Sequence, residues 1–159
     1  MRDIPGLKIY LISLVLPCVT VAIPILSTSG FHAFFQQDIL FAFFRKMLFV
    51  FAITVPFDIR DMDHDQKNNL KTIPLLVGDA KAKGIAVFAL ITYILLLFIQ
   101  LFTSSGLDTR YFAALLLSAV ISMFIIWQTN KIKNEYFYSL LLEGTMIIQC
   151  LLIIGASCF

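Results

Sequence analysis

Four aspartates, Asp58, Asp61, Asp63 and Asp65, fall within eight residues of the stretch FDIRDMDHDQKNNLKTIP, residues 57–74. If the apolar segment before them continues as a helix, Asp58, Asp61 and Asp65 stand at i, i+3 and i+7 on one face, and Asp63 points elsewhere. Asp61 and Asp65 are then one turn apart, with Cβ atoms about 5–6 Å from each other. Their mutual repulsion costs a few tenths of a kcal/mol on an exposed helix, and a hard divalent cation reverses its sign. Mg²⁺ takes one or two carboxylates and completes its shell with water and phosphate oxygens. Lys67 and Lys71 follow closely, and their ammonium groups suit a phosphate as rotatable point charges. Acids and lysines at the mouth of an apolar bundle point to a metal-bridged phosphate ester with an apolar tail. The competing reading is a solvated loop of mixed charge: in 57–83, Asp58, Asp61, Asp63, Asp65 and Asp79 are balanced by Arg60, Lys67, Lys71, Lys81 and Lys83. Spacing alone leaves both open.

The elements that must hold these side chains are legible from composition. The chain has 159 residues, enough for one domain, 60% of them hydrophobic, with 16 Phe and only 14% charged. That composition excludes an ordinary soluble domain, and a formal net charge of +2 with no basic tract gives no case for nucleic acid. Apolar runs near 9–26, 39–57, 84–103, 111–128 and 138–156 each predict a helix of about one hydrocarbon thickness. They show no alternation of period two, so a barrel is not expected. The fold class is therefore all-α, a polytopic transmembrane helix bundle with five spans, forming a single domain over 1–159. Polar breaks at STSG (27–30), TSSG (103–106) and QTNKIKNE (128–135) are expected turns. Pro17 and Pro24 predict kinks within the first span. The N-terminal MRDIPGLK has the wrong pattern for a cleaved signal peptide.

Lys and Arg set the orientation. Arg2, Lys8, Arg60, Lys67, Lys71, Lys81, Lys83, Lys131 and Lys133 lie on one side of the five spans, and Arg110 alone on the other. The positive-inside rule puts the N-terminus and the Asp-rich segment 57–83 on the cytoplasmic face and the C-terminus outside. That segment is too long for an ordinary connection, and its IPLLV (73–77) offers an apolar face for packing.

Other polar residues carry two readings each. Arg45 and Lys46 lie inside span two. They are either a functional site within the membrane or snorkelling side chains with Asp38 near. Glu143 either pairs with a lysine or orients a substrate, and His64 either ligates or stands in solvent. Cys18, Cys150 and Cys158 lie in apolar runs, without metal-ligand spacing. Phe31, Phe34, Phe35, Phe41, Phe43 and Phe44 are packing or lipid-facing residues.

The stretch FDIRDMDHDQKNNLKTIPLLVG resembles the second aspartate-rich motif of the UbiA family of intramembrane prenyltransferases. The family pattern of D-x-x-x-D, a basic residue, K-[ST]-[IT] and an LLG-like close is met by Asp61–Asp65, Lys67, Lys71-Thr72-Ile73 and Leu76-Val77-Gly78. Asn69 stands where many members have Gly. PGLKIYLISLVLPCVTVAIP and LLEGTMIIQCLLI resemble the family's fifth and last helices, so the five spans match helices 5–9 of its nine-helix fold. The first motif, N-x-x-x-D-x-x-x-D, does not occur.

The resemblance implies a Mg²⁺-dependent transfer of an isoprenyl group from a prenyl diphosphate to an aromatic or similar acceptor, such as those of quinone biosynthesis. By carry-over, Asp61 and Asp65 are the catalytic metal-binding pair, Asp58 assists the metal, and Lys67, Lys71 and, less firmly, Arg60 contact the diphosphate. A prenyl diphosphate carries nearly three negative charges, and one carboxylate pair is expected to leave it under-neutralised. Activity is thus expected to need the missing N-terminal half, and the sequence leaves open whether this is a truncated product, a split half that needs a separate N-terminal half chain, or a reading from a misplaced start. The alternative is a non-catalytic membrane partner or relic that retains the acidic segment. A CDP-alcohol phosphotransferase is disfavoured, because its D-G-x-x-A-R segment is missing.

Overall fold

The computed structural model describes residues 6–67, 71–103, 107–128 and 144–158, and the regular structure among them is helical throughout. The all-α expectation is met. The first span consists of α1 (Leu7–Pro17), a π-helical turn (Cys18–Ala22) and α2 (Ile23–Phe34). The predicted proline kink takes the form of that turn: the Ile23 N–H reaches back five residues to the Cys18 carbonyl. The Thr20 hydroxyl donates to the Leu16 carbonyl at 2.7 Å. The break expected at 27–30 is present as a kink at Gly30, beyond which helical backbone resumes to Phe34. Ser27 and Thr28 turn their hydroxyls back onto the Pro24 carbonyl, at 2.9 and 2.8 Å, and keep that backbone helical. Gly30 breaks the geometry locally, at φ 79° and ψ 176°.

Next come α3 (Gln37–Arg60), α4 (Met62–Lys67), α5 (Ile73–Val77), α6 (Asp79–Thr103), α7 (Thr109–Gln128) and α8 (Gly144–Cys158). Four helical segments are long and apolar enough to cross a membrane: Leu7–Phe34, Gln37–Arg60, Asp79–Thr103 and Thr109–Gln128. They correspond to the first four expected spans. The fifth is described only from Gly144, as a helix of 15 residues, about 22 Å and short of a full crossing. Glu143, Asn69, Lys131 and Lys133 lie outside the described residues. The acidic segment, expected as a loop, contains two short helices. Its IPLLV packs as expected, with Ile73 and Pro74 buried.

At the centre stands α3. Its buried Phe49, Ala52, Ile53, Val55 and Ile59 meet a small-residue face of α6, Ala82, Ala86 and Ala89. Helices in lipid gain little from apolar burial against one another, so close backbone approach over small residues does the work. The other side of α3 takes α1, with Tyr10 and Phe51 rings 5.8 Å apart. Along the bundle the neighbours run α1, α3, α6, α7, α8. Outward faces carry large apolar residues, among them Phe88, Phe102 and Trp127, as lipid requires. Among the described residues the backbones of α1 and α8 stay apart, and the clefts described below lie between the first span and α8, against α3.

Gly6 fixes where α1 meets the acidic segment. Its N–H donates to the Lys71 carbonyl at 3.1 Å. It sits at φ 72°, and a Cβ there would come within 2.9 Å of Ile73 Cγ1. A left-handed backbone costs a non-glycine residue roughly 1–2 kcal/mol, and the contact adds to that. Gly6→Ala is expected to lower the thermal unfolding midpoint of the purified protein by several degrees. Gly84→Ala, in α6 with open space around it, is expected to leave it unchanged or raise it.

Candidate active site

The polar end of α3 carries the chemistry. The helix ends at Arg60, and Asp61 takes a non-helical ψ of 2°. Ladder bonds nevertheless bridge the break: the Asp61 N–H donates to the Phe57 carbonyl at 3.0 Å, and the Asp65 N–H to the Asp61 carbonyl at 2.9 Å. Asp61 and Asp65 therefore stand one turn apart, as the spacing predicted. Asp63 and His64 are exposed.

Asp58 is the most buried of the acids, with 2% of its surface exposed. Its Oδ2 has no hydrogen-bond partner. Leaving a buried carboxylate oxygen unsatisfied is costly, and such an atom marks a place where a cation or donor belongs. Asp58 and Asp61 line one cavity of about 270 Å³ with Lys8, Arg60, Thr54 and Phe57. Its deeper wall is apolar, formed by Ile9 and Ile12 of α1, Ile53 of α3 and Met146 of α8. The charges acting on Asp58 are Lys8 first, then Asp65 and Asp61. A carboxylate pair at the head of a greasy cleft is thus present, with a lysine from another helix facing it.

Arg60 grips Asp61 with two bonds, Nε to Oδ1 at 2.7 Å and Nη2 to Oδ2 at 3.2 Å. Its guanidinium lies 5.5 Å from the centre of the Phe57 ring. Both partners are about 30% exposed, at 27% and 31%, so the pair adds little to stability. What it does is neutralise Asp61 and fix its direction.

The remaining expected site residues are placed differently. Asp65 is half-buried and does not line the cavity, and Lys67 and Lys71 are exposed and also outside it. Among the described residues no group of three or more His, Cys, Asp or Glu side chains gathers as a ready metal cage. Oxygen donors from Asp58 and Asp61 suit Mg²⁺, which needs only one or two carboxylates beside water and phosphate oxygens. The orphaned Asp58 Oδ2 fits that role. Lys8 escaped sequence reasoning as a site residue, because its part depends on α1 packing against α3. The available signal was its level: it lies at the cytoplasmic end of span one, as Asp58 does in span two.

Arg45 and Lys46 do not snorkel. Arg45 is 7% exposed, and Lys46 donates to Gln149 Oε1 of α8 at 2.9 Å. Both line a second cavity, between the first span, α3, α6, α7 and α8.

No curated protein and no solved structure shows significant similarity to this chain. The model of the UbiA prenyltransferase family, however, matches residues 7–138, a stretch that takes in the kinked first span, α3, the acidic segment and the two long helices beyond it. This chain of apolar helices, with its acid-headed cleft, belongs to the UbiA prenyltransferase family, and it is an integral membrane protein.

Proposed function

We propose that the cleft headed by Asp58 and Asp61 binds the diphosphate of a prenyl diphosphate through Mg²⁺, and that the chain supplies the second acidic half of a prenyltransferase site. The observation that carries this reading is the buried, unpartnered Asp58 oxygen beside Asp61, at the mouth of an apolar cavity. Asp58 and Asp61 would hold the ion, with Asp65 joining from one turn on. Bound there, Mg²⁺ supplies Lewis-acid neutralisation of the leaving diphosphate and a template for its position.

The chain's own residues do the rest. Lys8 adds a positive charge on the side of the cavity opposite the α3 carboxylates. Arg60 holds Asp61 in direction until the substrate's charge arrives. The apolar wall of Ile9, Ile12 and Ile53 receives the first part of the isoprenyl chain and excludes water from the carbon that loses the diphosphate. The acceptor attacks that carbon, and its proton leaves to solvent. We place the acidic end at the cytoplasmic face, on the nine-to-one distribution of Lys and Arg.

One acidic cluster leaves a trianionic diphosphate under-neutralised, so this reading calls for a second set of acids from further helices. The test is turnover in membranes with prenyl diphosphate, Mg²⁺ and aromatic acceptors. The chain alone is expected to give none. Co-expression with helices carrying N-x-x-x-D-x-x-x-D is expected to give product, and EDTA to abolish it. Product that persists in EDTA would overturn the metal reading, and product from the chain alone would overturn the split site.

A further inference from the structure

The second cavity, about 290 Å³, has the unusual property of gathering one wall from every long helix. Thr20 and Val21 of the π-helical turn, Tyr93 of α6, Leu115 of α7 and Gln149 of α8 surround Arg45 and Lys46 of α3. A volume near 300 Å³ is at the lower end of small-molecule sites.

Its polar groups are arranged in order. Lys46 donates to Gln149 Oε1 at 2.9 Å, and Gln149 Nε2 donates to Tyr93 Oη at 3.2 Å. Gln149 and Tyr93 are buried, at 4% and 1% exposure. Arg45 is buried to the same degree, yet its Nε and Nη1 have no hydrogen-bond partner. Among the described residues no carboxylate lines the cavity; Asp38 of α3 lies outside it, acts on Arg45 through its charge and accepts a bond from Gln100 at 3.2 Å. Two adjacent cations inside a membrane helix bundle, one of them buried with two guanidinium nitrogens unpartnered, are expensive and mark ligand sites.

We propose that this cavity binds a carboxylate borne on an apolar body, its oxygens taken by Arg45 and Lys46. Guanidinium donors match a planar carboxylate in geometry as well as charge, and the apolar walls of Val21, Ala42, Leu115 and Ile153 exclude a bare hydrated ion. The diphosphate does not belong here. It carries more charge than two cations balance, and among the described residues no acid lines the cavity to bring a metal. Arg45 also lies about three and a half turns from Asp58 along α3, roughly 20 Å, so one head group cannot serve both places. This site therefore stands independently of the function proposed above.

The carboxylate has two possible sources, a fatty acid from the bilayer or a compact aromatic acid. The full chain in phosphatidylcholine nanodiscs, incubated with radiolabelled oleate or benzoate, distinguishes them. Saturable binding of one or both is expected, undiminished by chloride or inorganic phosphate. Preference for oleate identifies a lipid source, and preference for benzoate a soluble one. Arg45→Gln is expected to weaken binding at least tenfold while leaving the thermal midpoint unchanged or higher, because a buried guanidinium with two unpartnered nitrogens is removed. Asp61→Asn with Asp65→Asn is expected to leave binding intact. Should Arg45→Gln fail to fold, Arg45→Lys keeps the charge without the fork and is expected to weaken binding severalfold. No saturable binding to folded wild-type protein would overturn the proposal. So would equal affinity in a folded Arg45 variant, or displacement by chloride.

Discussion

Replacing Asp61 and Asp65 together by Asn, in membranes where the chain and an N-terminal half turn over, is expected to lower product formation by about 10³-fold or more. Asn keeps the shape of Asp and its hydrogen-bonding reach, so the bundle should insert and fold as before. What disappears is the negative charge that holds a divalent ion against the diphosphate. Metal support of this kind is worth several kcal/mol, and each 1.36 kcal/mol is about a factor of ten in rate. Asp61 also loses its ion pair with Arg60. Because that pair is partly exposed, the stability change should stay within about 1 kcal/mol, so a large activity loss in a protein of unchanged thermal midpoint separates chemistry from folding. Assayed by product chromatography over a range of Mg²⁺ concentrations, the defect should persist at saturating metal.

Lys8→Gln is expected to have the second-largest effect, raising the KM for prenyl diphosphate by roughly 10- to 100-fold, in line with about 1.5–3 kcal/mol for a charged hydrogen bond. Lys67→Gln and Lys71→Gln should change it less than threefold. The contrast follows from placement: Lys8 lines the acid-headed cavity and acts on Asp58, and the other two lysines are exposed outside it. The family resemblance orders these lysines the other way, so steady-state kinetics on the three single variants decides between motif and geometry.

Much of the fold could be read from the chain because the membrane imposes a single length scale. The first four apolar runs became helices near their expected bounds, and Pro17 and Pro24 announced the distortion between them. The acid spacing was equally legible, since Asp61 and Asp65 need only a helical turn to come together and Asp63 only the same turn to face away. Two features escaped because they depend on how helices pack. Lys8 joins the site only when Gly6 lets α1 lie against the acidic segment. Arg45 carried a functional and a snorkelling reading, and its burial beside the first span and α6 removes the outward-snorkelling one. The break read from STSG was legible too: it stands at Gly30, at φ 79° and ψ 176°.

The most direct test is the binding of an unreactive prenyl diphosphate analogue, a thiolodiphosphate that keeps the charged head group, to the chain in nanodiscs, with and without Mg²⁺. Saturable binding that needs the divalent ion, vanishes in EDTA, and is lost in the Asp61→Asn, Asp65→Asn protein is the predicted result. Binding of equal strength without metal, or in that double variant, would contradict it.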